Sequence, residues 1–143
     1  MANRGLILVV DDDEDCRIIY PSAFRHAGFE VAVAATAAQG LALARETHPD
    51  AVVLDRLLPD RSGDQLLEEL RSVEHMDDTP IVAVSAYTER GDVDRLRALG
   101  YSDVLPKPLE VKHLVASVER LLAGTAGETT RGQQATSGNP PSA

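Results

Sequence analysis

No tryptophan occurs in the chain, and two phenylalanines and three tyrosines bring aromatics to only 3% of its 143 residues. A core must therefore be filled by Leu, Val, Ile and Ala. Cys16 is the single cysteine, which excludes a disulfide framework within the chain. Long apolar runs are missing too: the longest are about five residues, far short of the roughly 20 that span a bilayer as a helix. No charged-then-apolar leader precedes Gly5, so the expectation is a cytoplasmic protein without a secretion signal or membrane contact. Cations are in deficit, with 14 Lys and Arg against 23 Asp and Glu for a net charge of −9. An acidic surface repels the phosphates that dominate nucleic-acid affinity, so direct binding of nucleic acid is not expected.

What the chain does have is an ordinary globular mix, 43% apolar and 26% charged, in a length that suits one core. Two kinds of segment alternate from residue 6 to about residue 123. Continuous apolar runs lie at Leu6–Val10, Val31–Ala34, Ala51–Leu54 and Ile81–Val84, with a weaker one at Asp103–Leu105. Runs without alternation are the pattern of strands buried on both faces. Between them lie segments with helical spacing. The first puts Cys16, Ile19, Tyr20, Ala23, Phe24 and Ala27 on one stripe and ends at Gly28. Pro21 interrupts it at a cost of roughly 3 kcal/mol. Lying off the stripe, Pro21 is expected to kink the helix on its solvent side. The second segment runs from an N-capping Thr36 to His48, before Pro49. The third shows Leu66, Leu67, Leu70 and Val73 on one face, and the fourth spans Glu89 to Leu99. The last carries Leu114, Val115, Val118, Leu121 and Leu122, closing at Gly124.

Five βα units predict an α/β fold: a doubly wound, five-stranded parallel sheet with five helices on two faces. The strand order is taken to be the flavodoxin-like 2-1-3-4-5, which would set the ends of the first, third, fourth and fifth strands side by side. Residues 1–124 form the expected domain. Residues 125–143, rich in Gly, Ser, Thr, Gln and Pro without apolar periodicity, are expected to be a disordered tail.

In such sheets ligands sit beyond the carboxyl ends of the strands, where strand order reverses. Asp11, Asp12 and Asp13 follow the first run, Asp55 the third, Ser85 and Ala86 the fourth, and Lys107 and Pro108 the fifth. One crevice would hold a carboxylate cluster, another carboxylate, a hydroxyl and an ammonium. Crowded carboxylates call for a cation, and Mg²⁺ takes oxygen ligands while leaving positions for water and phosphate oxygens. An Asp beside bound Mg²⁺ can form an acyl phosphate. Lys107 and the Ser85 hydroxyl could then meet the remaining phosphoryl oxygens.

The segments LILVVDDDEDCR, DAVVLDRLLPDRSG, PIVAVSA and DVLPKP resemble, in order, the motifs of the response-regulator receiver domain of two-component signalling. The resemblance covers about residues 5–123. It implies Asp55 as phosphoacceptor, Asp12 as direct metal ligand, Asp11 acting through water and the Leu57 backbone carbonyl as a further Mg²⁺ ligand. It also implies Ser85, the Ala86 backbone N–H and Lys107 as phosphate-binding and switch groups. Pro59 and Gly63 match the loop after the acceptor, and a cis Lys107–Pro108 bond is implied by analogy. The donor would be a sensor histidine kinase or phosphotransfer protein, and the output a phosphorylation-dependent partner surface. That output could be an unknown downstream protein, a phosphorelay step or a homodimer. No output domain follows within these residues, so signalling by partner binding is expected, without enzymatic turnover beyond slow self-dephosphorylation. Two departures stand out. Val104 occupies the position where the family often carries a switching Tyr or Phe. Leu57 and Tyr87 are bulky at the two positions that tune phosphoryl lifetime, so a shielded, slowly hydrolysed phosphate is expected.

Other readings stay open beside this one. Asp11-Asp12-Asp13 supplies the D-x-D of a haloacid-dehalogenase-type Mg²⁺ phosphatase, whose nucleophile would be Asp11. A receiver-like docking module that takes no phosphate is compatible with Val104. Asp13 to Asp15 are read as helix-opening acids, not ligands. His26, His48, His75 and His113 lack metal-site spacing and are assigned to the surface or helix ends. Cys16 is assigned to the core, and Tyr87 and Tyr101 to loop packing.

Overall fold

The structure, a computed structural model, describes residues 3–86 and 90–131. Strands β1 (Leu6–Val10), β2 (Glu30–Ala34), β3 (Ala51–Asp55), β4 (Ile81–Ser85) and β5 (Asp103–Pro106) alternate with helices α1 (Glu14–His26), α2 (Ala37–Thr47), α3 (Gly63–Arg71), α4 (Arg90–Leu99) and α5 (Val111–Arg131). All strand pairings are parallel, in the order β2-β1-β3-β4-β5. The predicted order and elements are the ones observed, with strand edges moved by a residue.

Alternate residues of each central strand feed two cores. Leu8, Val10, Val52, Leu54, Ile81 and Ala83 pack against Leu41 of α2, Leu66, Leu67 and Leu70 of α3 and Leu96 of α4. Ile7, Val9, Val53, Val82 and Val84 pack against Tyr20 and Phe24 of α1 and Leu114 and Val118 of α5. Each helix buries one narrow face, and β1, β3 and β4 are covered on both, which explains their uninterrupted apolar runs. Among the described residues no helix is long and apolar enough to cross a membrane.

Two helices depart from expectation. In α1 the buried residues are Tyr20, Pro21 and Phe24, while Ile18 and Ile19 are 61% and 50% exposed. The predicted stripe holds at Cys16, Tyr20, Phe24 and Ala27 and fails at Ile19, and the buried face takes in Pro21 instead: at about 100° per residue Pro21 lies only about 60° from Phe24. Pro21 therefore faces inward, not toward solvent, where its ring adds apolar surface without a buried N–H to satisfy. In α5, Gly124 does not close the helix, which runs on to Arg131. A glycine inside a helix costs about 1 kcal/mol relative to Ala, and no proline occurs between residues 109 and 139 to stop it. The expected boundary after residue 124 therefore falls inside α5. Residues 132–143 of the expected tail, with Tyr87 and Glu89, lie outside the described residues.

Candidate functional site

Sheet order brings the carboxyl ends of β1, β3, β4 and β5 side by side. Asp11 leaves β1 with its N–H bonded to the Ala34 carbonyl at 3.0 Å, and its side chain is buried. Its Oδ1 accepts the Asp13 N–H at 2.9 Å, and Arg17 donates to its backbone carbonyl at 3.0 Å. Asp55 ends β3, also buried, with Oδ1 accepting the Leu57 N–H at 3.1 Å. Ser85 ends β4, and its carbonyl accepts the Lys107 N–H at 2.8 Å, tying the β5 connection to β4. Lys107 then places Nζ 3.5 Å from Asp11 Oδ2 and 3.6 Å from Asp55 Oδ2. The Lys107–Pro108 peptide is cis. Ala86 is exposed beside Ser85.

Asp11, Asp12 and Asp55 each offer a carboxylate oxygen, and these lie within 4.8 Å of one another. An all-oxygen set with two of its three carboxylates buried fits a hard divalent cation, not a metal that prefers nitrogen or sulfur. Asp13 is elsewhere engaged, its Oδ1 capping α1 by accepting from the N–H groups of Asp15 and Cys16 at 2.8 and 3.3 Å. No histidine joins a group of three such ligands among the described residues. His48 caps α2 in the left-handed conformation and stacks on His75 with ring centroids 3.7 Å apart. Cys16 is partly buried against the α1-side core.

The electrostatics follow from burial. Desolvation pushes the Asp55 carboxyl up to about 6; the Asp11 charge adds to this, against the Leu57 N–H and Lys107. Burial works against the charge of Lys107, but Asp11 and Asp55 outweigh it and hold the ammonium above its ordinary value.

The loop after β3 is held closely. Arg56 donates its N–H to Val84 O at 3.3 Å and accepts the Gly63 N–H at 2.8 Å. A Cβ on Gly63 would stand 2.6 Å from Arg56 Cα and 2.8 Å from the Asp55 carbonyl, so only glycine permits this approach. Leu57 bridges to Ser62, and its side chain is 62% exposed. After Pro59, Asp60 reaches across to cap α2, accepting from Ala37 N and Ala38 N at 2.8 and 2.9 Å. Val104 is buried in the α3 and α4 core, 6% exposed.

Several important residues escaped sequence reasoning. Asp60 caps a helix distant in sequence. Arg71 donates to the carbonyls of Met76, Asp77, Thr79 and Gly100. Asp103, buried, gathers Arg97, Ser117 and Arg120. Tyr101 donates to Asp64, which also binds Arg56. None of these polar contacts has a local sequence pattern.

A family model described as the response regulator receiver domain matches residues 7–119. The polar-differentiation response regulator DivK of Brucella ovis is 28% identical over 116 residues, covering 81% of this chain and 94% of DivK. The transcriptional regulatory protein PrrA of Mycobacterium bovis is 38% identical over the same share of this chain but only 49% of PrrA. Among solved structures, the receiver domain of the Francisella response regulator 1452 superposes with TM-score 0.79 at 27% identity, covering 85% of this chain and 99% of that one. The chemotaxis response regulator CheY4 of Vibrio cholerae gives TM-score 0.76 at 26% identity, covering 81% and 97%.

Proposed function

Since this chain belongs to the response regulator receiver domain family, we propose that it takes a phosphoryl group on Asp55 with Mg²⁺ beside it and signals through a changed partner surface. The observation that carries this reading is the convergence of Asp11, Asp12, Asp55 and Lys107 at the carboxyl ends of the strands. Asp12 is the proposed direct metal ligand, with the Leu57 carbonyl and Asp55, and Asp11 acts through water. Bound there, Mg²⁺ supplies neutralisation of phosphoryl oxygen charge. A carboxylate oxygen of Asp55 attacks the phosphorus of a phosphohistidine. The P–N bond breaks, and the imidazole leaves with its electron pair and takes a proton. Lys107 Nζ, shared between Asp11 and Asp55, turns to a phosphoryl oxygen, while the Ser85 hydroxyl and Ala86 N–H receive another. The donor is a histidine kinase or phosphotransfer protein in the cytoplasm, and the output is a protein partner. The phosphatase alternative places the nucleophile at Asp11. That carboxylate is the more deeply buried of the two, 1% exposed against 7% for Asp55, which suits a charge partner better than an attacking group.

The pKa of Asp55 gives a direct test. Its folded value lies near 6, above the ordinary carboxylate value of about 4. Without cation, the stability this group contributes is full below about pH 4 and is lost as pH rises through about 6. Cation binding requires the deprotonated form. Millimolar Mg²⁺ should therefore raise Tm at pH 7.5, by an amount that shrinks through pH 6 and vanishes near pH 4. An equal rise at pH 4 and pH 7.5, or none at either, would count against the site.

A further inference from the structure

Residue 104 is a valine buried in the core, so no ring at that position can report on Asp55. A different tyrosine is connected to the acceptor loop. Tyr101, 3% exposed in the connection between α4 and β5, donates its hydroxyl to Asp64 Oδ1 at 2.6 Å. Asp64, in the first turn of α3, is gripped by both arms of Arg56: Nε to Oδ1 at 3.1 Å and Nη2 to Oδ2 at 2.9 Å. Arg56 is the residue after Asp55, and its backbone is pinned to β4 on one side and to Gly63 on the other. The backbone of the same α4–β5 connection is held by Arg71, at the other end of α3, on the Gly100 carbonyl at 2.7 Å.

We propose that Tyr101, acting through Asp64 and Arg56, is the positioning residue that couples the state of Asp55 to the α4–β5 surface. This rests on the phosphoacceptor reading. A phosphoryl group adds a charge of about −1.5 to −2 next to Arg56. The acceptor loop shifts to accommodate it, carrying the Arg56 backbone, and the guanidinium's hold on Asp64 changes. The loop cannot absorb the shift on its own, because Gly63 and Arg56 are packed at van der Waals contact. Asp64 moves with the first turn of α3, and the buried Tyr101 hydroxyl, which has bonded to Asp64, must follow or let go. Asp64 suits this relay: burial disfavours its charge, yet Arg56 and Tyr101 outweigh that and keep it below the usual carboxylate range.

The test uses full-length protein labelled with 3-fluorotyrosine. It has three tyrosines, and the Tyr101 resonance is the one missing from Tyr101→Phe. With acetyl phosphate and Mg²⁺, the Tyr101 ¹⁹F resonance should shift as the phosphoryl adduct appears by intact mass. In Asp64→Asn the adduct should still form while the shift falls to under a third. Arg56→Met, which leaves Asp64 and Tyr101 bonded, should lose it likewise. An adduct on wild type with an unmoved Tyr101 resonance, or a full shift in either variant, would overturn the coupling alone. No adduct on wild type would overturn the phosphoacceptor reading and the coupling with it.

Discussion

Lys107→Met is expected to slow phosphoryl uptake from acetyl phosphate by about a hundredfold, since removing one preorganised charge-stabilising group typically costs about 10²–10³ in rate. The ammonium sits 3.5 Å from Asp11 and 3.6 Å from Asp55, so its loss acts twice. The phosphoryl oxygens lose their partner, and two buried carboxylates lose the cation between them, which pushes Asp55 further toward its protonated, non-nucleophilic form. Lys107→Arg should recover only part of the rate. A planar guanidinium is bulkier than the point charge that fits between two carboxylates. The adduct rate by intact mass checks this, and a loss below threefold in Lys107→Met would contradict the role.

The second large effect lies away from the chemistry. Arg71, at the end of α3, donates to Met76 O at 3.1 Å, Asp77 O at 3.4 Å, Thr79 O at 2.5 Å and Gly100 O at 2.7 Å. It thereby closes the α3–β4 connection and the α4–β5 turn with one side chain. Burial lowers its pKa, but Asp78 and Asp77 act in the other direction. Arg71→Met keeps much of the apolar stem and strands these carbonyls, several of them partly buried. An unsatisfied buried acceptor costs about 1–3 kcal/mol. With solvent reaching some of the four, a total loss of about 3 kcal/mol is expected. That is a large share of the roughly 5–15 kcal/mol by which domains are stable. The urea midpoint should fall by at least about 1 M. A fall under about 0.3 M would show that the staple is redundant.

The fold was readable because its signals are local and repeated. Val52 and Val53, or Val82 and Ala83, point to opposite faces of a strand covered on both sides, and that situation leaves uninterrupted apolar runs. The candidate site was legible for a related reason: Asp11, Asp55 and Ser85 directly follow such runs, so finding the strand finds the residue. Periodicity failed where the burying surface is narrow. Ile19 has the spacing of a core residue in α1, yet the sheet and α5 meet the helix along Tyr20, Pro21 and Phe24. It failed again at Gly124, where one weak breaker does not outweigh helical continuation. Polar staples were invisible altogether. Tyr101 and Asp64 lie 37 positions apart, and nothing in either neighbourhood announces the other.

The central claim is that Asp55 accepts a phosphoryl group. Intact mass after incubation with acetyl phosphate and Mg²⁺ tests it most directly, comparing wild type with Asp55→Asn. The account predicts one phosphoryl adduct on wild type that needs Mg²⁺ and is absent from the variant. An adduct that persists in Asp55→Asn, or wild type that stays unmodified under every donor and Mg²⁺ concentration, would contradict it.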